Sequence, residues 1–104
     1  MVISDNQLAW ELADRLRSWL NSAERASVFV DLGSGDERAA IDRLLHIAAA
    51  RGMPLSPTMV GKLRVWARVH DEEKRYAAVL AEIESARARL VGIAATRSGM
   101  LSRR

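Results

Sequence analysis

Apolar residues recur at helical spacing from the start of the chain. Leu8, Leu12, Leu16, Trp19, Leu20 and Ala23 follow one another at mostly three- and four-residue intervals, which puts them on one face of a helix. Ser4 followed by Gln7 is a capping-box pattern ahead of that run, so the pattern predicts a first helix over 5–24. Trp10 falls on the opposite face, between Asp14 and Arg17. Another part of the fold, or a partner, is expected to cover it.

The pattern then changes. Ser27-Val28-Phe29-Val30-Asp31-Leu32 is rich in β-branched and aromatic residues and is closed by Gly33-Ser34-Gly35, a strand signal. A lone strand needs hydrogen-bond partners, so this segment must pair with Met1-Val2-Ile3, pair with a second copy, or be absorbed into a helix. The composition favours a short extended segment at 27–32. Helical period resumes over 36–51, with Ile41, Leu44, Leu45 and Ala48 on one face. Ser34 and Glu37 are read as the cap of this helix, and Gly52 with Pro54 as its stop.

Ser56-Pro57 opens the next helix, serine as N-cap and proline at the first helical position, with Leu55 and Val60 placed to close a hydrophobic staple. From there an apolar seam alternates four and three: Trp66, Val69, Glu73, Tyr76, Leu80, Ile83, Arg87, Leu90, Ala94. Asp71 is a candidate cap for a new helix. The seam passes that point without a change of phase, which favours one continuous helix over 57–95. Residues 96–104 lose the period and read as a flexible basic tail.

The expected fold is therefore mainly all-α: a three-helix bundle or helix-turn-helix-like core with a long C-terminal helix. Residues 1–95 would form a single small domain. The 104-residue length suits one modest core, and the absence of cysteine excludes a disulfide scaffold and thiolate chemistry. No stretch approaches the apolar length that spans a bilayer, and no leader pattern opens the chain, so a cytoplasmic address and no membrane partner are expected. The net charge of +3 is uneven. Residues 1–50 hold five basic against eight acidic side chains, a balance of −3, and residues 51–104 hold eleven against five, a balance of +6. Attraction for acidic partners should come from the second half.

Candidate chemistry is sparse. Val30-Asp31-Leu32-Gly33-Ser34-Gly35-Asp36 resembles the glycine-rich loop of S-adenosylmethionine-dependent methyltransferases. That resemblance implies a following strand ending in an acid that holds the ribose, whereas the chain reads Arg51-Gly52-Met53-Pro54-Leu55 at that distance. Asp31, Asp36 and Glu37 would also repel a phosphate. Asp42 and His46 stand four apart, a spacing for an ion pair or for two metal ligands, with His70 as the one other histidine. No nucleophile elbow or paired carboxylates accompany them. The chain is read as a non-enzyme with no cofactor, no metal and no small-molecule substrate.

Binding is the better-supported class. Two helices joined at Gly52-Met53-Pro54-Leu55, the second beginning Ser56-Pro57-Thr58-Met59-Val60-Gly61-Lys62-Leu63-Arg64, resemble a helix-turn-helix module. The same region is similar in outline to phage terminase small subunits, which bind DNA as oligomers. The resemblance implies DNA contacts by Thr58, Lys62, Arg64 and Arg68, with Arg103 and Arg104 on phosphates. Self-association through Trp66, Val69, Glu73, Tyr76, Leu80, Ile83, Arg87 and Leu90 is compatible with this. Glu73 and Arg87 are symmetric about Leu80, so an antiparallel homodimer crossing there sets each against its opposite charge. The competing arrangement packs the seam on the first helix of a three-helix bundle. The expected function is a DNA-binding protein that self-associates through its long helix; the alternative is an adaptor or structural oligomer with no nucleic-acid role.

Overall fold

A computed structural model describes residues 4–102, and their side chains through Leu90. The described residues are all-α: α1 (Asp5–Leu16), α2 (Ser22–Gly33), α3 (Glu37–Arg51), α4 (Pro57–Val69) and α5 (Glu73–Ser102), with one 3-10 turn at Arg17–Trp19. No strand occurs among them, and no helix is long and apolar enough to cross a membrane. The helix α3 lies at the centre, against α1, α2 and α5, while α4 packs on α5 and on α1. Leu8, Leu12 and Leu16 of α1 meet Ile41, Leu44 and Leu45 of α3 in one core, all fully buried. The apolar face read over 36–51 is thus the inner face of the hub.

Three expected elements take a different form. The helix over 5–24 is two helices, because a second start signal lies inside the periodic run. Asn21 Oδ1 accepts from Glu24 N at 2.8 Å and Glu24 Oε1 accepts from Asn21 N at 2.9 Å, a reciprocal capping box. Leu20 is buried at the corner and Trp19 is left 50% exposed. The extended segment at 27–32 belongs to α2. A helix satisfies its backbone internally where a lone strand has no partner, and Val28 and Leu32, four apart, are its buried residues. Met1-Val2-Ile3 lie outside the described residues. The continuous helix over 57–95 is broken between Val69 and Glu73.

That break repeats a device used twice before. At Gly52 (φ 64°) the Met53 N–H reaches the Ala48 carbonyl at 2.9 Å and the Gly52 N–H reaches Ala49 at 3.4 Å. At Gly35 (φ 81°) the Asp36 and Gly35 N–H groups reach Asp31 and Leu32 at 2.9 and 3.2 Å. At Asp71 (φ 56°) the Glu72 and Asp71 N–H groups reach Ala67 and Arg68 at 2.7 and 3.1 Å. All three are Schellman caps, each with a left-handed residue that ends a helix and turns the chain. Asp36, rather than Ser34, caps α3 by accepting from Ala39 N at 3.2 Å, and Ser34 Oγ instead donates to the Asp31 carbonyl. Residues 96–102, expected as an aperiodic tail, continue α5.

Candidate interaction surfaces

The start of α4 is built as its sequence suggests. Ser56 Oγ accepts from Met59 N at 3.1 Å, Pro57 fills the first helical position, and Leu55 and Val60 are both buried beside the cap. Thr58 is exposed in the first turn. The basic side chains that follow are not left facing solvent alone. Lys62 Nζ donates to both carboxylate oxygens of Glu11 on α1, at 2.8 and 3.1 Å. Arg64 donates to Glu84 on α5, and Arg68 Nε stands 3.8 Å from Glu73. The predicted basic strip is a set of opposite-charge contacts along the flanks of α4. Arg103 and Arg104 lie outside the described residues.

The seam read across 66–90 divides at the Asp71 turn. Trp66, Tyr76, Leu80 and Ile83 are buried within the chain. Trp66 and Tyr76 meet at 5.1 Å between ring centroids because α4 and α5 fold back on each other at this turn. Val69 and Leu90 are exposed, at 64% and 50%, as are Glu73 and Arg87. With Leu80 only 2% exposed, a dimer crossing at Leu80 would require a surface the chain already uses for its own core.

Asp42 stands 3.6 Å from His46 Nδ1, in the i, i+4 pair that its spacing suggests. Its Oδ1 accepts from the Tyr76 hydroxyl at 2.9 Å and from Arg75 Nη2 at 3.4 Å, while His46 Nδ1 lies 2.7 Å from the Asp42 carbonyl. Burial, then the hydrogen bond to Asp42, push the Tyr76 phenol up to about 12. His70 is drawn to α1 instead, its Nε2 lying 2.9 Å from Asp5. No cluster of three metal-ligating side chains occurs among the described residues. The glycine-rich segment is also ordinary: Gly33 ends α2 and Gly35 makes its cap, so no strand-turn-helix cradle is present there.

No family model, curated protein or solved structure matches this chain. Its surfaces must therefore be read from their own chemistry.

Two further surfaces are exposed, the first at Trp10, which the sequence marks as needing a cover. Trp10 is covered in part by Phe29 of α2, ring centroids 6.0 Å apart, and both remain more than a third exposed over a groove that also takes in Asp14 and Arg17. The extended segment expected at 27–32 gives Phe29 no place beside Trp10, whereas the helix α2 turns it there. The other is the outward face of α5. Ala78, Ala81, Ser85 and Ala88 are all exposed on the side turned away from Tyr76, Leu80 and Ile83. Beside this face a shallow groove of about 150 Å³ opens between α4 and α5, floored by Ala67, Ala77 and Leu80 and rimmed by Arg64, Arg68 and Glu73. The signal was present as a second three-four repeat of small residues, masked by the more apolar repeat on the opposite face.

Proposed function

We propose that this protein is a small helical interaction module that self-associates through α5 and carries no chemistry of its own. The observation that supports this is the uncovered surface of α5, where Ala78, Ala81, Ser85, Ala88 and Leu90 are exposed. At 1.5 Å per residue, its 30 residues run about 45 Å, but its buried side chains lie between Tyr76 and Ala86, and Arg87 to Leu90 are already exposed. Helical stability in proteins comes mainly from tertiary packing. Gly92 and Gly99 each disfavour the helix by about 1 kcal/mol relative to alanine. A helix of this length and composition, uncovered from Arg87 to Leu90, calls for a partner. Sedimentation of the full chain tests the reading: a mass of twice 11.5 kDa or a higher multiple is expected, and a monomer at every concentration overturns it. A cytoplasmic address belongs to the same reading.

DNA binding is the second reading, favoured by the +6 balance of residues 51–104 and by Thr58 standing exposed at the start of α4. The pairs made by Lys62, Arg64 and Arg68 do not argue strongly against it, since exposed ion pairs are worth only about 0–1 kcal/mol each and phosphates compete for them. Retention on generic duplex DNA should then fall steeply with salt and vanish when all three are changed to Ala. An absence of retention even at low salt removes this reading and leaves an adaptor or structural oligomer.

A further inference from the structure

We infer that the corner between α1 and α2 binds single-stranded nucleic acid, stacking bases on Trp10, Phe29 and Trp19 and holding phosphates with Arg17 and Arg25. It is independent of self-association and of the duplex reading, since it uses no side chain of α4 or α5. Trp66 and Tyr76 are buried, whereas Trp10, Trp19 and Phe29 are exposed, and all three belong to α1, α2 and the turn between them. Trp10 and Phe29, with ring planes tilted by 42°, line a groove with Ala13, Asp14 and Arg17. Arg25 stands one turn before Phe29 on the same face of α2. Its Nη2 donates to the Leu20 carbonyl at 3.3 Å, which fixes it beside the turn that carries Trp19. The three rings and two arginines thus share one corner of the fold.

Charge separates this corner from α4. Lys62, Arg64 and Arg68 each face a carboxylate, but among the described residues Arg17 and Arg25 form no ion pair. Arg15, Lys74 and Arg87 share that property without sharing the site. Arg15 lies with Glu11 on the α4 side of α1, and α5, which carries the other two, packs on α3 and α4. Unpaired cations beside flat exposed rings suit a single strand, whose backbone follows the charges while its bases stack. In a duplex the base faces are stacked on one another and closed to such rings. An anionic lipid surface calls for about four or more clustered cations beside a broad apolar face, which two arginines and an acid do not supply.

That acid, Asp14, then has a use. Lying in the groove with Trp10 and Phe29, it repels a phosphate, so the strand presents a base there instead. A carboxylate accepts from the exocyclic amine of cytosine or adenine, and thymine offers no such donor.

Fluorescence titration with short oligonucleotides tests the site, because Trp10 and Trp19 are exposed and the third tryptophan, Trp66, is buried. Oligo(dC) should quench the exposed tryptophans and bind about fivefold to tenfold more tightly than oligo(dT). Oligo(rC) run beside it tells whether RNA or DNA is preferred, and binding of either carries the inference. Two phosphate contacts should give a slope of about −1.4 in log affinity against log salt, and the double variant Arg17→Ala, Arg25→Ala should flatten it. Trp10→Ala or Trp19→Ala should weaken binding about fivefold to a hundredfold. Trp10→Phe keeps a ring and should bind nearly as the wild type, which separates stacking from structural damage. Asp14→Ala should erase the preference for oligo(dC), and Lys74→Ala should change nothing. Absence of quenching at low salt overturns the inference. So does duplex binding as tight as single-strand binding, or quenching by phosphatidylserine vesicles but by no oligonucleotide. A wild-type dimer that dissociates on Trp10→Ala gives the corner to a second copy and overturns it as well.

Discussion

Tyr76 is the one tyrosine of the chain, and its hydroxyl is held where ionisation is unfavourable, buried and donating to Asp42 at 2.9 Å. Its phenol is pushed up to about 12 from the ordinary 10.0. The folded state therefore binds this proton more tightly than the unfolded chain does. The contribution to stability is complete below pH 10 and is lost as pH rises from 10 through about 12. Ultraviolet titration should show a single phenol with a midpoint near 12, and a midpoint near 10 would mean that the hydroxyl is solvated. Tyr76→Phe should lower stability by about 0.5–1.5 kcal/mol in urea unfolding, the usual worth of one such bond. Asp42 retains Arg75 in that variant, so its carboxylate is not stranded. Local spacing shows one part of this cluster, the i, i+4 pair in which His46 Nδ1 stands 3.6 Å from Asp42 Oδ1. The partners from α5 are thirty-three and thirty-four positions away, and only the tertiary fold brings them there.

Among the elements, the ends of helices separate what the sequence discloses from what it conceals. The ends at Gly35 and Gly52 carry glycine where the backbone turns left-handed, and glycine marks both as breaks in the sequence. The third end, at Asp71, uses the same hydrogen bonds with a residue that tolerates the left-handed region less well. Its neighbours, Trp66 and Tyr76, keep a helical spacing across the turn, so the period suggested continuity. Asp71→Gly should therefore stabilise the protein by about 0.5–1 kcal/mol, whereas Asp71→Val, β-branched at a positive φ, should destabilise it by about 1–2 kcal/mol. Thermal unfolding of the pair decides the matter, and equal effects of like sign would count against this cap. The break after Leu16 has a different origin. It depends on Asn21 and Glu24 satisfying one another's backbone groups, so Asn21→Ala should cost about 1 kcal/mol. The fold class was legible because α1 and α3 keep their period over several turns. The connections were not, because a capping box inside a periodic run looks like more of the same helix.

At the scale of the molecule, the chain extends 56 Å along one axis against 31 and 22 Å along the others. The core supplies the short dimensions: every buried side chain among those described lies between Leu8 and Ala86. The helix α5 continues past Leu90 to Ser102. A chain ended after Leu90 should accordingly keep the unfolding free energy of the bundle when measured at low concentration, where the full-length protein is dissociated. The two chains should part company as concentration rises. Anything that binds the folded state raises its apparent stability by mass action, so the full-length midpoint should climb with concentration while that of the shortened chain stays constant. Thermal unfolding over a hundredfold concentration range gives both comparisons. If the shortened chain is much less stable even when dilute, the last turns of α5 support the bundle rather than a partner. If both midpoints climb alike, association uses another surface, and the half-exposed Trp10 and Phe29 become the first residues to change.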